Sequence, residues 1–220
     1  MTSLIIGAAG GIGAAFLQAL APNAIGLSRI STPPIDLESE PSIAAAAAHL
    51  QGTTITRLII ATGFLHGAGL TPEKTYATLS AAHLAKSFAI NAIGPALILK
   101  HFLPLIPRDQ PATIAALSAK VGSITDNAAG GWYSYRAAKA ALNQLIHTTA
   151  IELKHKRPRA IIIALHPGTV DTPLSAPFAK TGLNVRPPAQ AAADMLRVLN
   201  TLTPADSGKF FSYDGTELPW

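Results

Sequence analysis

Cysteine is absent from this chain of 220 residues. That excludes disulfides, thiolate metal sites and a cysteine nucleophile, and it fits a reducing compartment and a cytoplasmic location. Charge is scarce too: 13% of residues are charged against 49% hydrophobic, the reverse of the balance a disordered chain needs. Seven His are present, but no HxxxH or HExxH spacing joins any two, so no metal is expected. The length suits one sizeable core and is short for two full domains. A single domain over 1–220 is therefore expected.

Residues 1–28 contain no Asp, Glu, Lys or Arg. Gly7, Gly10, Gly11, Gly13, Pro22 and Gly26 nevertheless interrupt the stretch, and no Lys or Arg precedes it. A signal peptide needs a basic start and one continuous apolar segment. The stretch reads instead as a buried strand, a turn and a helix, and no membrane partner is expected. The formal net charge is +5. Its main basic cluster, Lys154, His155, Lys156, Arg157 and Arg159, ends a long helical pattern beside Pro158. Cations there suit the helix dipole and stay solvated, so no nucleic-acid partner is expected.

Short apolar runs alternate with helical patterns. The runs are Ser3–Ile6, Ala24–Leu27, Arg57–Ala61, Thr113–Leu117, Ala160–Leu165 and Phe210–Tyr213, with a further short strand at Ile35–Leu37. Several are almost continuous in Ile, Leu and Val, as strands covered on both faces are. The fold class is thus α/β, a doubly wound parallel sheet. The five alanines at 44–48 favour an outer helix that buries little. Residues 166–188, rich in proline after Pro167, follow the strongest strand and hang over the carboxyl edge of the sheet. Open α/β sheets bind ligands at that edge.

Gly7-Ala8-Ala9-Gly10-Gly11-Ile12-Gly13 follows the first strand and opens an apolar helix. Glycines allow the tight turn and close approach of a pyrophosphate, and the helix N-terminus offers free N–H groups. Tyr135-Arg136-Ala137-Ala138-Lys139 puts Tyr135 and Lys139 on one helix face. Lys139 borders the apolar stripe Leu142, Leu145, Ile146, where an inward charge is costly without a partner. Next to Tyr135 it would favour the phenolate and lower the phenol pKa. Asn91 lies four residues before Pro95, which has no N–H, so its carbonyl loses its helical donor.

In this order and spacing, the glycine turn, the helical Asn91, the YxxxK pair and Pro167-Gly168 resemble the short-chain dehydrogenase/reductase family over essentially the whole chain. Gly130-Gly131-Trp132-Tyr133-Ser134-Tyr135-Arg136 and the tail from Ser207 to Trp220 resemble its compact C-factor-like branch, related to carbonyl reductases. The resemblance implies a single-domain, seven-stranded Rossmann sheet, a nicotinamide cofactor and a homodimer or homotetramer acting on a small carbonyl or alcohol. Tyr135 would be the general acid/base, Lys139 would hold the ribose and tune Tyr135, and Asn91 would place a water in a proton relay. The implied cofactor set is Gly7, Gly11, Ile12, Gly13, Asp36, Leu37, Thr62, Gly63, Pro167, Gly168, Val170 and Thr172, with Asp36 at the adenine.

Departures from the family pattern are Ile6, where threonine is usual, and Ala61-Thr62-Gly63, where Asn-Ala-Gly is common. Ser118-Ala119 replaces a serine pair, which leaves Ala119 in the catalytic slot. Ser118 and Ser123 are the substitutes, although neighbouring strand residues point to opposite faces. Ser28 and Arg29 after the second strand favour a 2′-phosphate, so NADP(H) is expected over NAD. Two readings follow: an NADP-dependent carbonyl reductase, or a non-catalytic NADP-binding signalling or scaffold protein of the same fold.

Overall fold

The computed structural model describes residues 2–67, 69–178 and 184–220. Its strands are β1 (Thr2–Ile6), β2 (Ala24–Leu27), β3 (Ile55–Ile60), β4 (Ala112–Leu117), β5 (Ala160–His166), β6 (Thr169–Val170), β7 (Val185–Arg186) and β8 (Phe210–Ser212). The α-helices are α1 (Gly11–Ala19), α2 (Glu40–His49), α3 (Ala81–Phe88), α4 (Gly94–Phe102), α5 (Tyr133–Lys156) and α6 (Pro188–Thr201). Six strands form one sheet in the order β2-β1-β3-β4-β5-β8, and every pairing in it is parallel.

Both faces of this sheet are covered, which explains the unbroken apolar strands. Leu4, Ile6, Leu58, Ile60, Ile114 and Ile162 pack on one side with residues of α2, α4 and α5. The alternate residues Ile5, Ile59, Ala115, Ile161, Ile163 and Leu165 pack on the other side with α1 and α6. Each fully buried Ile or Leu contributes ~1.5–3 kcal/mol by leaving water.

Three expectations need correction. The sheet has six strands rather than seven, because Ile35–Leu37 is not a strand. Prolines 33 and 34 enter that segment without N–H groups, and its next donors are used locally, Ile35 N by Ser28 O and Asp36 N by Ser42 Oγ. The chain then turns at once into α2, capped by Ser39. Second, the alanine run does bury surface. Ile43 and Ala46 are fully covered, and small side chains let α2 lie close against α4. Third, 166–188 is not purely loop, since β6 and β7 pair in parallel within it. Residues 179–183 of that segment lie outside the described residues.

A π turn, Ala89–Ile93, joins α3 to α4. The resulting stretch, Ala81–Leu105, is long and apolar enough to span a membrane by composition, but here α3 and α4 pack against α5 and α4 also against α2.

Candidate active site

The glycine turn is packed tightly from below. Gly7 has φ +89°, and a Cβ there would come within 2.7 Å of the Ala61 carbonyl oxygen. A Cβ on Gly13 would run into Gly7 O. The amides of Gly7 and Ala8 both donate to Leu27 O, at 2.8 and 3.1 Å, tying the turn to β2. No side chain caps α1, so its first N–H groups are left to an anionic partner.

Above the turn lies a cavity of about 770 Å³ lined by Gly7, Gly10, Ser28, Arg29, Asp36, Leu37, Thr62 and Gly63. Ile12 packs below α1 on the core and is absent from this lining. Thr62 Oγ1 is buried and has no hydrogen-bond partner among the described residues. The Pro167–Thr172 segment is likewise absent from this lining and lies beside the start of α1. Gly168 turns at φ +72° against Tyr213 and Arg186, and Thr172 lies so close to Gly11 that a Cβ on Gly11 would be 2.8 Å from its methyl. Val170 is held by pairing with Arg186 in the β6–β7 ladder.

Tyr135 and Lys139 share a buried face of α5, at 9% and 2% exposure. Lys139 Nζ donates to Leu117 O at 2.8 Å and lies 5.8 Å from the Tyr135 ring centroid. Burial holds the Lys139 ammonium down to about 7. Burial also raises the Tyr135 phenol above its ordinary value, which corrects the expected downward shift. Lys139 spends its hydrogen bond on a backbone carbonyl, and the cost of a buried phenolate outweighs its attraction.

Asn91 is fully buried. Its side chain clamps the loop after β3, accepting from Phe64 N at 3.0 Å and donating to Phe64 O at 2.7 Å. Neither candidate serine is given to Tyr135. Ser118 Oγ donates to Asn143 Oδ1 at 2.6 Å, and Asn143 lies two turns along α5 from Tyr135, ~12 Å at 1.5 Å per residue. Ser123 Oγ accepts from Asp126 N at 3.1 Å and lines a separate cavity with Tyr133, Arg136, Ala137 and Ala140, which occupy another face of α5.

Aromatic rings flank Tyr135. Trp132 meets Tyr135 edge-on at 6.3 Å, Phe178 meets Trp132 at 5.2 Å, and His66 meets Phe178 at 5.4 Å. Sequence reading missed Glu73, which is 4% exposed and holds the start of α5 through Ser134. A lone acid in an aperiodic loop gives no pattern to find.

The sequence profile of a family described as enoyl-(acyl carrier protein) reductase matches residues 7–210. The C-signal protein of Myxococcus xanthus is 37% identical over 140 residues, covering 63% of this chain and 80% of its own. A short-chain dehydrogenase of Neurospora crassa is 32% identical over 191 residues, covering 83% and 72%. The NADPH-bound carbonyl reductase from chicken fatty liver superposes with a TM-score of 0.85 at 26% identity, over 100% of this chain and 98% of that one. With the parallel sheet, the glycine turn and the paired Tyr135 and Lys139, these likenesses establish that the chain belongs to the short-chain dehydrogenase/reductase family, in its carbonyl-reductase-like branch.

Proposed function

We propose that this protein is an NADP(H)-dependent oxidoreductase that reduces a carbonyl compound, or oxidises the matching alcohol, with Tyr135 as general acid/base. One observation carries the reading: Tyr135 and Lys139 are buried together on one face of α5, at the end of β4 where Lys139 meets Leu117. Residues of the cavity fit a dinucleotide. The glycine turn has no room for a Cβ at Gly7 or Gly13, Thr62 Oγ1 awaits a partner, and Arg29 makes no ion pair among the described residues. The NADPH held by the chicken carbonyl reductase supports the same choice of cofactor.

The nicotinamide would supply the hydride that reaches the carbonyl carbon. Tyr135, kept protonated by burial, would donate its proton to the carbonyl oxygen. Lys139 would exchange its bond to Leu117 for the ribose hydroxyls. The Asn91 carbonyl, to which Pro95 offers no N–H four residues on, would hold a water in the relay that reprotonates Tyr135. Residues 166–178 and 184–188, with Trp132 and His66, would shape the substrate end.

The test is NADPH oxidation with benzaldehyde, hexanal, cyclohexanone and a benzoquinone. Turnover that falls at least ~10²-fold in Tyr135→Phe, with NADPH binding retained, supports the reading. A second reading, a non-catalytic NADP-binding signalling or scaffold protein, draws on the engagement of Ser118 and Ser123 elsewhere. NADPH binding without turnover of any of the four compounds would favour it.

A further inference from the structure

Glu73 stands in the loop between β3 and α3, where a carboxylate is normally solvated. Here it is buried, and burying a charge is costly unless it is paired and hydrogen-bonded. Its partners are the start of α5 and one histidine. Oε2 accepts from Ser134 N at 3.2 Å, Oε1 accepts from Ser134 Oγ, and His83 Nδ1 lies 3.1 Å from Oε1. The Glu73 carbonyl also accepts from Trp132 N at 2.5 Å. Burial works to protonate the carboxyl, but the Ser134 and backbone hydrogen bonds with His83 outweigh it and hold the pKa below the usual carboxylate value.

This carboxylate does the work of a helix cap. The α5 helix has 24 residues and no side-chain cap of its own: Trp132 before it, at φ 53°, carries an indole that has a donor but no acceptor. A negative charge at that end also suits the helix dipole. The hydrogen bonds continue inward. Ser87 Oγ donates to Ser134 O at 3.1 Å, and Asn91 Nδ2 donates to Ser87 Oγ at 3.2 Å. Asn91 in turn clamps Phe64. A chain of buried polar contacts thus runs from the loop beside the cofactor cavity to the residue that precedes Tyr135.

We propose that Glu73 is a positioning residue for Tyr135: by gripping Trp132 and Ser134 it fixes the rotation of the first turn of α5, and with it the phenol. The inference rests on the reading of Tyr135 as the proton donor. A phenol misplaced by ~1 Å loses ~10²-fold in rate while cofactor and substrate still bind. His83 Nδ1 meets the same oxygen, Oε1, that accepts from Ser134 Oγ, and helps to orient the carboxylate.

The experiment is a double-mutant cycle, with the most active of the four carbonyl compounds and saturating NADPH. Glu73→Gln keeps the shape and removes the charge. It should lower kcat roughly 10- to 100-fold, with KM and NADPH Kd within threefold of the parent. Ser134→Ala, which retains the backbone N–H bond, should fold normally and lose less. On the Tyr135→Phe background, Glu73→Gln should cost nothing further, because the group it positions is gone. A parent-like kcat in Glu73→Gln overturns the inference. So does an equal loss on the Tyr135→Phe background, or a fall in kcat matched by NADPH affinity and melting temperature. If Tyr135→Phe alone keeps full turnover, the proposed function fails first and Glu73 loses its role with it.

Discussion

Lys139 Nζ donates to the carbonyl oxygen of Leu117 at 2.8 Å, and among the described residues no carboxylate pairs with it. The folded protein therefore holds a nearly unexposed lysine, at 2% exposure, whose pKa is depressed to about 7. In the unfolded chain a lysine titrates near ~10.4. Between these values the unfolded state binds the extra proton, so stability rises with pH through that window. Lys139→Met removes this dependence. Thermal melts should show the parent gaining stability from pH 7 to pH ~9.5 relative to the variant, and the variant should be the more stable near neutrality while losing NADPH affinity. The upward shift of Tyr135 acts in the opposite sense only above its ordinary value of ~10. Parallel pH profiles for the two proteins would contradict the buried charge.

Cofactor choice should turn on Arg29. It is exposed at the mouth of the cavity, next to Ser28, whose backbone is fixed by Ser31 at 2.8 Å. Glu38 also lines this cavity, but Lys86 pairs with it at 2.5 Å, so it offers little repulsion to a phosphate. NADPH should bind more tightly than NADH, and Arg29→Asp should reverse the order. A lost charge-assisted hydrogen bond of ~1.5–3 kcal/mol corresponds to roughly 10- to 100-fold in Kd. Fluorescence titrations that coincide for the two cofactors in the parent protein would refute the assignment.

The two serines should separate from catalysis. Ser118→Ala strips Asn143 Oδ1 of its buried donor, and an unsatisfied buried acceptor costs ~1–3 kcal/mol. The melting temperature should drop by roughly 2–12 °C for a chain of this size, with kcat within twofold. Ser123→Ala loses the bond from Asp126 N and should change turnover as little. A tenfold loss of kcat with unaltered NADPH binding in either variant would restore that hydroxyl to the mechanism.

Much of this site could be read from residue order because its parts obey local rules. Ile161, Ile162 and Ile163 form an unbroken run because alternate residues face different cores. Gly7 and Gly13 are needed where they stand because nothing larger fits, and the four-residue spacing of Tyr135 and Lys139 fixes their common face. The rest depends on contacts that leave no periodic trace. Ser134 is 61 positions from Glu73. The phenol pKa follows from burial against groups on other elements, which reversed the expected direction of its shift. Ile35–Leu37 has the composition of a strand, but local turns and a cap occupy its donors.

Ala119 gives the sharpest separation of enzyme from scaffold. It follows β4 in extended conformation, at φ −146° and ψ 143°, two residues beyond the carbonyl that holds Lys139. It is half-buried. Its place in the chain is where the family resemblance sets the hydroxyl that steadies the substrate oxygen. Ala119→Ser should thus add one hydrogen bond in the reacting complex. At ~0.5–1.5 kcal/mol, kcat/KM should rise roughly 2- to 12-fold while NADPH Kd and melting temperature hold. The gain must vanish on the Tyr135→Phe background, because both groups meet the same oxygen. A protein that binds NADPH and gains no turnover from Ala119→Ser does not use this edge of β4 for carbonyl chemistry, and the scaffold reading would then be the better one.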